Sequence, residues 1–319
     1  MRALCFRTFG GPEVLHIEEL PDPLPLPGHA IVRTKAIGLN FADVYRRKGN
    51  YHLAGEPPFI PGYEAAGVVE SVGEGCPLAP GDRVAFADSP FANAELVSVP
   101  FEKLIPLPNE ISFDIAAALL LQGLTAQYLI RDSHALRSGE SVLVHAAAGG
   151  VGQLLVQLAK RNGARVLGLA STDAKARAIM EVGADSVALT SGDWVGSAQA
   201  FAMGGVDVAF DSVGSTLKKS FEAVRKGGHV VFYGMAGGDP EPVDPRYLMD
   251  TSKTLTGGDL WNVLTSRATR ISRANDLFKA VREDSLQVRI AGRYPLAEGA
   301  QAHANLEGRG TIGKVLLIP

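Results

Sequence analysis

Cysteine is nearly absent: Cys5 and Cys76 are the only two in 319 residues. They are too few for a disulfide framework or a four-cysteine structural zinc site, and they read as small buried apolar groups. An excess of one charge is also missing. The 31 Lys and Arg nearly balance the 34 Asp and Glu, giving a formal charge of -3 with no long block of either sign. Without an electrostatic footprint for a polyanion, nucleic acid is not an expected partner. The longest apolar run, 115–130, is interrupted by Gln122, Thr125 and Gln127. It falls short of the roughly 20 residues a bilayer span requires, so it reads as a buried helix and no membrane partner is expected. The opening MRALCFRTFGG lacks the apolar stretch and cleavage site of a secretion signal, and a cytoplasmic protein is expected. No repeat or low-complexity tract stands out.

What is present is enough apolar substance to fold. Hydrophobic residues make up 46 % of the chain against 20 % charged, which excludes wholesale disorder. A length of 319 residues exceeds one ordinary core, so two domains are expected. The first third alternates short apolar runs with Pro and Gly: ALCF, VLHIEEL, AIVRTKAIGLN, AGVVESVG, DRVAFA and AELVSVP. These predict strands of an antiparallel, barrel-like domain, interrupted by a short helix over 41–49. The middle changes character. A strand over 141–146, a helix over 151–163 and a strand over 165–171 form a βαβ unit. Helix 173–183, strands 186–190 and 206–214, helix 216–228 and strand 229–234 continue the alternation, which predicts a parallel, doubly wound sheet. KTLTGGD supplies its last strand. A helix near 273–282 and an apolar KVLLIP follow, and that closing strand has no place in the sheet unless it returns to the first domain.

The segment 147–152, AAGGVG, is a GxGxxG pattern with alanine first, lying between a strand and a helix. Gly149 would allow a pyrophosphate to approach the backbone, Gly152 close packing of helix on sheet, and the amides near Gly150 and Val151 would donate to phosphate. At the end of the second strand an acid would select NAD. Here the chain reads Ala170, Ser171, Thr172, Asp173, with Lys175 and Arg177 beyond. Small hydroxyls and cations suit a 2′-phosphate, so NADP is favoured. Asp173 is either a displaced ribose acid or a residue favouring the next helix N-terminus. Lys175 and Arg177 are either phosphate partners or a solvated face.

GLNFADVYRRKGNY, PGYEAAGVV, GDRVAF, LLLQGLTAQYLI, HAAAGGVG, FDSVG and GKVLLIP together resemble the zinc-independent quinone oxidoreductases, the zeta-crystallin-like branch of the medium-chain dehydrogenase/reductases. The resemblance implies an α/β protein: a GroES-like β-barrel catalytic domain over 1–123, a doubly wound parallel-sheet Rossmann domain over 124–257, and a segment over 258–319 returning to the catalytic domain. It also implies a homodimer formed through the cofactor domains and an active site in the cleft between the domains. Zinc-dependent relatives hold their metal with a cysteine and a GHE motif. This chain has Asn40 at the cysteine position and Gly62-Tyr63-Glu64 at the motif, and no metal is expected. The histidines, at 16, 29, 52, 134, 145, 229 and 303, show no paired metal spacing and read as surface or packing residues.

Without metal, hydrogen bonds must hold the substrate carbonyl. The resemblance points to Asn40, Tyr45 and Tyr51 near the nicotinamide, Asn40 as an amide donor and the tyrosines as groups that orient an oxygen or help supply a proton. Amphipathic packing is the bland alternative for Tyr45 and Tyr51. Matching cofactor positions are Thr125, Ser212, Gly234, Met235, Leu260 and Trp261, with Arg309 for the adenosine phosphate. Thr190 stands where some members carry a tyrosine at the adenosine end, which weakens the NADP preference. The implied activity is NADPH-dependent reduction of a quinone or other small conjugated carbonyl compound. The near alternative is an enone or alkenal double-bond reductase. An NADPH-binding structural or regulatory protein is the alternative from another class, and the retention of Asn40, Tyr45 and Tyr51 beside an intact glycine loop argues against it.

Overall fold

The computed structural model describes residues 1–51 and 56–319; His52 lies outside the described residues. The chain divides into two compact units, Met1–Leu121 with Leu264–Pro319, and Gln122–Val263. The sequence placed the divisions after 123 and 257.

The alternating runs at the start of the first unit form β1 (Arg2–Cys5), β2 (His16–Glu19), β3 (His29–Leu39), β4 (Ala65–Val72), β5 (Arg83–Phe86), β6 (Leu96–Pro100) and β7 (Ile105–Pro106), with α1 (Phe41–Arg47) between β3 and β4. α2 (Phe113–Tyr128) continues through one wider turn, so the helical stretch Phe113–Ser133 has 21 residues. By length and composition alone it could cross a membrane, contrary to the sequence expectation. Most of it is buried inside the protein, as in the core helix of a globular fold.

The second unit contains β8 (Ser141–Val144), α3 (Gly150–Arg161), β9 (Arg165–Ala170), α4 (Asp173–Glu181), β10 (Ser186–Leu189), α5 (Trp194–Phe201), β11 (Val206–Asp211), α6 (Leu217–Ala223), β12 (Val224–Phe232), α7 (Pro245–Thr251), β13 (Thr254–Gly257) and α8 (Leu260–Val263). The chain then returns to the first unit with α9 (Arg267–Arg282), β14 (Ile290–Pro295), α10 (Gly299–Glu307) and β15 (Lys314–Ile318).

The second unit is a parallel sheet in the order β10-β9-β8-β11-β12-β13. The order reverses between β8 and β11, the switch point at which doubly wound sheets bind ligands beyond their strand C-termini. In the first unit the sheet runs β14-β15-β3-β4-β5-β7, with β6 also on β3. The closing strand therefore has its place: β15 lies antiparallel to β3, Val315 opposite Leu39, and parallel to β14. Val315 and Leu317 enter the same apolar core as Leu4, Phe6, Ile37, Leu39 and Phe86.

Several elements differ from the sequence reading. The expected helix over 216–228 ends at Ala223, because Val224 pairs with Val206 in the sheet and Gly227, at φ +70°, supports an irregular strand start. α5 was not expected; Asp193 caps it by accepting from the Gly196 amide. The late helix starts at Arg267, where the Ser266 side chain accepts from Thr269 N. α7, β14 and α10 had no clear periodic signal.

Leu317 is fully buried. Leu317→Ala is expected to lower unfolding free energy by about 2–5 kcal/mol, measured by denaturant titration. A loss under about 1 kcal/mol would mean that the returning strand does not belong to this core.

Candidate functional site

In the second unit the loop after β8 makes a tight entry into α3. Ala146, at φ +46°, occupies the left-handed region despite its Cβ. Gly149 is the N-cap of α3 in an extended conformation, and its amide donates to Ala146 O at 2.8 Å. A side chain at Gly152 would collide with the Ala146 carbonyl and stand 2.6 Å from Ala147 Cα, so glycine here lets the helix pack closely on the strand end. At Gly150 a Cβ would overlap the side chain of Gln122 on α2. Thr125, one turn further along α2 and buried, shares that face. Val151 lies in the first turn of α3, which carries no acidic residue. A helix N-terminus open to anions and without competing carboxylates suits a pyrophosphate.

Ser171 follows β9, and Lys175 lies one turn into α4 with Nζ 3.2 Å from Ser171 Oγ. Thr172 caps α4 by accepting from Lys175 N, and Asp173 is the exposed first helical residue. Asp173 thus sits where a carboxylate complements the helix dipole, while the capping itself belongs to Thr172.

Beyond β11, Ser212 O accepts from Ala236 N at 3.1 Å, and Gly234 packs directly on Ser212. Met235 lies beside Gly214 in the same pair of loops. Leu260 is buried and Trp261 half-buried at the start of α8, where Asp259 accepts from Trp261 N at 3.1 Å. Arg309 belongs to the first unit, exposed after α10 at φ +55°.

A buried network holds these loop starts. Asp211, at the end of β11, accepts from Val213 N at 2.8 Å and Gly214 N at 3.1 Å, from the Thr216 hydroxyl, and from Ser220 Oγ at 2.6 Å. Burial alone would raise its carboxyl, but His145 and these donors hold it below the ordinary value. Ser220 has one proton, already given to Asp211, so its oxygen accepts from His145 Nε2 at 2.9 Å and fixes that tautomer. Burial lowers the His145 imidazole below its ordinary value, with Asp211 opposing the shift. Sequence reasoning read His145 as packing; the histidine just after β8 and the aspartate ending β11 were the available signal.

The first unit gathers the reaction candidates around α1. Asn40 precedes the helix, and Asp43 accepts from Asn40 N at 2.8 Å. Lys314, opening β15, is fully buried. Its Nζ donates to Glu64 Oε2 at 2.6 Å and to Asn40 Oδ1 at 2.7 Å. An ammonium can only donate, so the amide orientation of Asn40 is determined. Its Nδ2 protons go to Gly38 O at 2.9 Å and Glu64 Oε2 at 3.1 Å. Leu121 N donates to the other Glu64 oxygen at 2.6 Å. In this arrangement the Asn40 amide donates to protein acceptors, which ties the start of α1 to Glu64 and to the end of β3.

Asn40, Tyr63 and Glu64 do not fit a zinc site. A divalent ion would have to displace an ammonium from Glu64 and take ligands from an amide and a phenol, where thiolate or imidazole is usual. Among the described residues no group of three or more His, Cys, Asp or Glu side chains could hold a metal.

The aromatic candidates are adjacent. The Tyr45 and Tyr51 rings are 5.9 Å apart and edge-on, and Tyr51 meets Tyr63 at 6.2 Å. Arg46 donates to the Tyr63 hydroxyl at 3.3 Å. Burial raises the Tyr63 phenol, against the pull of Arg46, so it stays protonated. Lys314 and Arg46 were missed in the sequence. A lysine opening an apolar strand was the visible signal for the first; an arginine beside a second arginine on a short helix gave none for the other.

Asp43 supplies a pH test. Burial, opposed by the Asn40 amide and by Lys314, pushes its carboxyl from 3.8 up to about 7. Between those values the folded protein holds the proton more tightly than the unfolded chain, so this group's stabilisation is full below 3.8 and is lost as pH rises to about 7. Asp43→Asn keeps an acceptor for Asn40 N and removes the titration. The stability of wild type relative to that variant is expected to fall across this window in denaturant unfolding; a flat or rising difference would contradict the buried proton.

Comparison with known proteins agrees with this architecture. Residues 26–136 match the family "Alcohol dehydrogenase GroES-like domain", and residues 150–273 match "Zinc-binding dehydrogenase". The chain is 38 % identical to a 2-haloacrylate reductase of Burkholderia sp, covering 97 % of this chain and 96 % of that protein. It is also 38 % identical to a quinone oxidoreductase of Pseudomonas aeruginosa, over 100 % of this chain and 99 % of the relative. The solved structure of Escherichia coli quinone oxidoreductase complexed with NADPH superposes with a TM-score of 0.96 at 35 % identity, covering 100 % of both chains. With its GroES-like sheet, its parallel Rossmann sheet and these full-length relatives, the chain belongs to the quinone oxidoreductase family of the medium-chain dehydrogenase/reductases.

Proposed function

We propose that this oxidoreductase uses NADPH to reduce a quinone and does so without zinc. The observation that carries this reading is the buried Lys314 ammonium between Glu64 and Asn40, a fixed cation within the residues that zinc-dependent relatives devote to metal. NADPH, when bound, supplies the hydride. The residues suited to hold it are the 149–152 loop for the pyrophosphate and Ser171 with Lys175 for the 2′-phosphate. The paired loops at Ser212 and at Gly234 and Met235, with Thr125, Leu260 and Trp261, are assigned to the rest of the cofactor, and Arg309 to the adenosine phosphate. Tyr45 is the donor to the carbonyl oxygen as negative charge develops there, and Tyr51 orients the ring of the acceptor. Asn40 and Lys314 hold α1, and with it Tyr45, in place. The homodimer belongs to this reading too: β13 is one of the two edges of the six-stranded sheet and offers a strand for pairing.

A second reading, delivery of hydride to a conjugated double bond, is favoured by the 38 % identity to a 2-haloacrylate reductase.

The test is steady-state NADPH oxidation with 1,4-benzoquinone and with a neutral enone, in wild type and Tyr45→Phe. Quinone turnover is expected in wild type, with kcat falling about 10-fold or more in the variant and NADPH affinity retained. Wild type inactive on quinones would reject the reading. Unchanged kcat on both acceptors would make Tyr45 a packing residue, and a fall confined to the enone would favour double-bond reduction.

A further inference from the structure

Arg46 lies within the aromatic cluster around α1 and is 2 % exposed as a residue. Its Nη1 donates to Tyr63, while Nε and Nη2 are buried with no hydrogen-bond partner among the described residues. Burying charged donors without acceptors is costly, and native structures seldom leave such groups unless something unseen completes them. The geometry of the vacant edge narrows what that is. The Tyr63 and Phe91 rings lie near the guanidinium, their centroids 5.7 and 5.2 Å from its carbon. The edge left over carries Nε and Nη2, two parallel N–H groups. Elsewhere in this molecule the same edge grips a carboxylate: Arg7 holds Glu18 at 3.0 and 2.7 Å, and Arg33 holds Glu70 at 2.8 and 2.8 Å.

We infer that the Nε/Nη2 edge of Arg46 is a recognition site for a substrate carboxylate, and that the acceptors of this enzyme include small conjugated carboxylic acids. The neighbouring rings of Tyr45, Tyr51 and Tyr63 suit the planar conjugated part. Phe91, 44 % exposed, lies next to the guanidinium. Asp43 is the titratable group facing Arg46 from the same helix; one of its oxygens is held by Asn40 N and the other, also buried, has no hydrogen-bond partner among the described residues. It sits three residues earlier on α1, and the Arg46 fork is not closed on it.

A free carboxylate withdraws electrons from its conjugated double bond only weakly, and its charge opposes hydride addition. A bidentate guanidinium withdraws that charge, so recognition and activation coincide. The step balances: the β-carbon takes the hydride that converts NADPH to NADP⁺, the α-carbon takes a proton from solvent water, and the C=C bond becomes single. The inference rests on the proposed NADPH-dependent reduction, and its test separates the two.

Crotonate and methyl crotonate differ only in the charge at issue. Calorimetric titration of the NADP⁺-loaded protein with crotonate is expected to show binding that weakens at least about 10-fold in Arg46→Met, with an intermediate loss in Arg46→Lys, which keeps charge but not the fork. The ratio of kcat/KM for crotonate to that for methyl crotonate should fall by a similar factor. A purely structural Arg46 would lower thermal stability and affect both acceptors alike, leaving the ratio fixed. That result, or crotonate binding no tighter than its ester in wild type, would overturn the inference. Turnover of 1,4-benzoquinone by the same wild-type sample reports separately on the underlying reaction: if it is absent while crotonate binding still depends on Arg46, the quinone reading fails and the carboxylate site stands.

Discussion

A lysine with no access to water must be given acceptors or lose its charge, and Lys314 shows how much of the first unit is arranged around that requirement. Burial lowers the ammonium pKa, and Glu64 is the main group opposing the shift. The three groups meeting here come from distant parts of the chain: β15 at the C-terminal end, Glu64 just before β4, and Asn40 where β3 gives way to α1. Satisfying one buried cation therefore fixes the returning strand, the segment that carries a metal ligand in zinc-dependent relatives, and the start of the helix bearing Tyr45 and Arg46. Breaking such a pair by deleting one partner costs about 3–5 kcal/mol, because the survivor stays buried and uncompensated.

The second unit solves a related problem with a buried anion. Asp211 collects backbone and hydroxyl donors at the end of β11, and through Ser220 it is tied to His145 just after β8. These two strands flank the point where the sheet order reverses, so the network holds both loop starts at the place where a doubly wound sheet presents its ligand site. Neither buried charge needs a metal to be satisfied.

The legible parts of the sequence were those governed by local periodicity. The βαβ unit from β8 to β9, the glycine loop and the early strands followed from patterns of alternation and punctuation. The family resemblance added the return of the last strand. Where tertiary pairing overrides local signal the reading failed: residues 224–228 continue a helical pattern but are drawn into β12 by Val206. The contacts of Asn40 were illegible for a similar reason: residue type says that an amide can donate and accept, but only the position of Lys314, far along the chain, shows that its oxygen accepts from a buried ammonium. Arg46 was illegible because an arginine on a short helix ordinarily faces water, and nothing local marks this one as buried.

The central claim is that a protein-borne cation occupies the place of a metal and that reduction proceeds without one. The direct measurement is metal content and NADPH oxidation by 1,4-benzoquinone on one chelator-treated sample. The account predicts zinc far below one atom per chain and turnover equal to that of untreated protein. Turnover lost on chelation and restored specifically by zinc would contradict it.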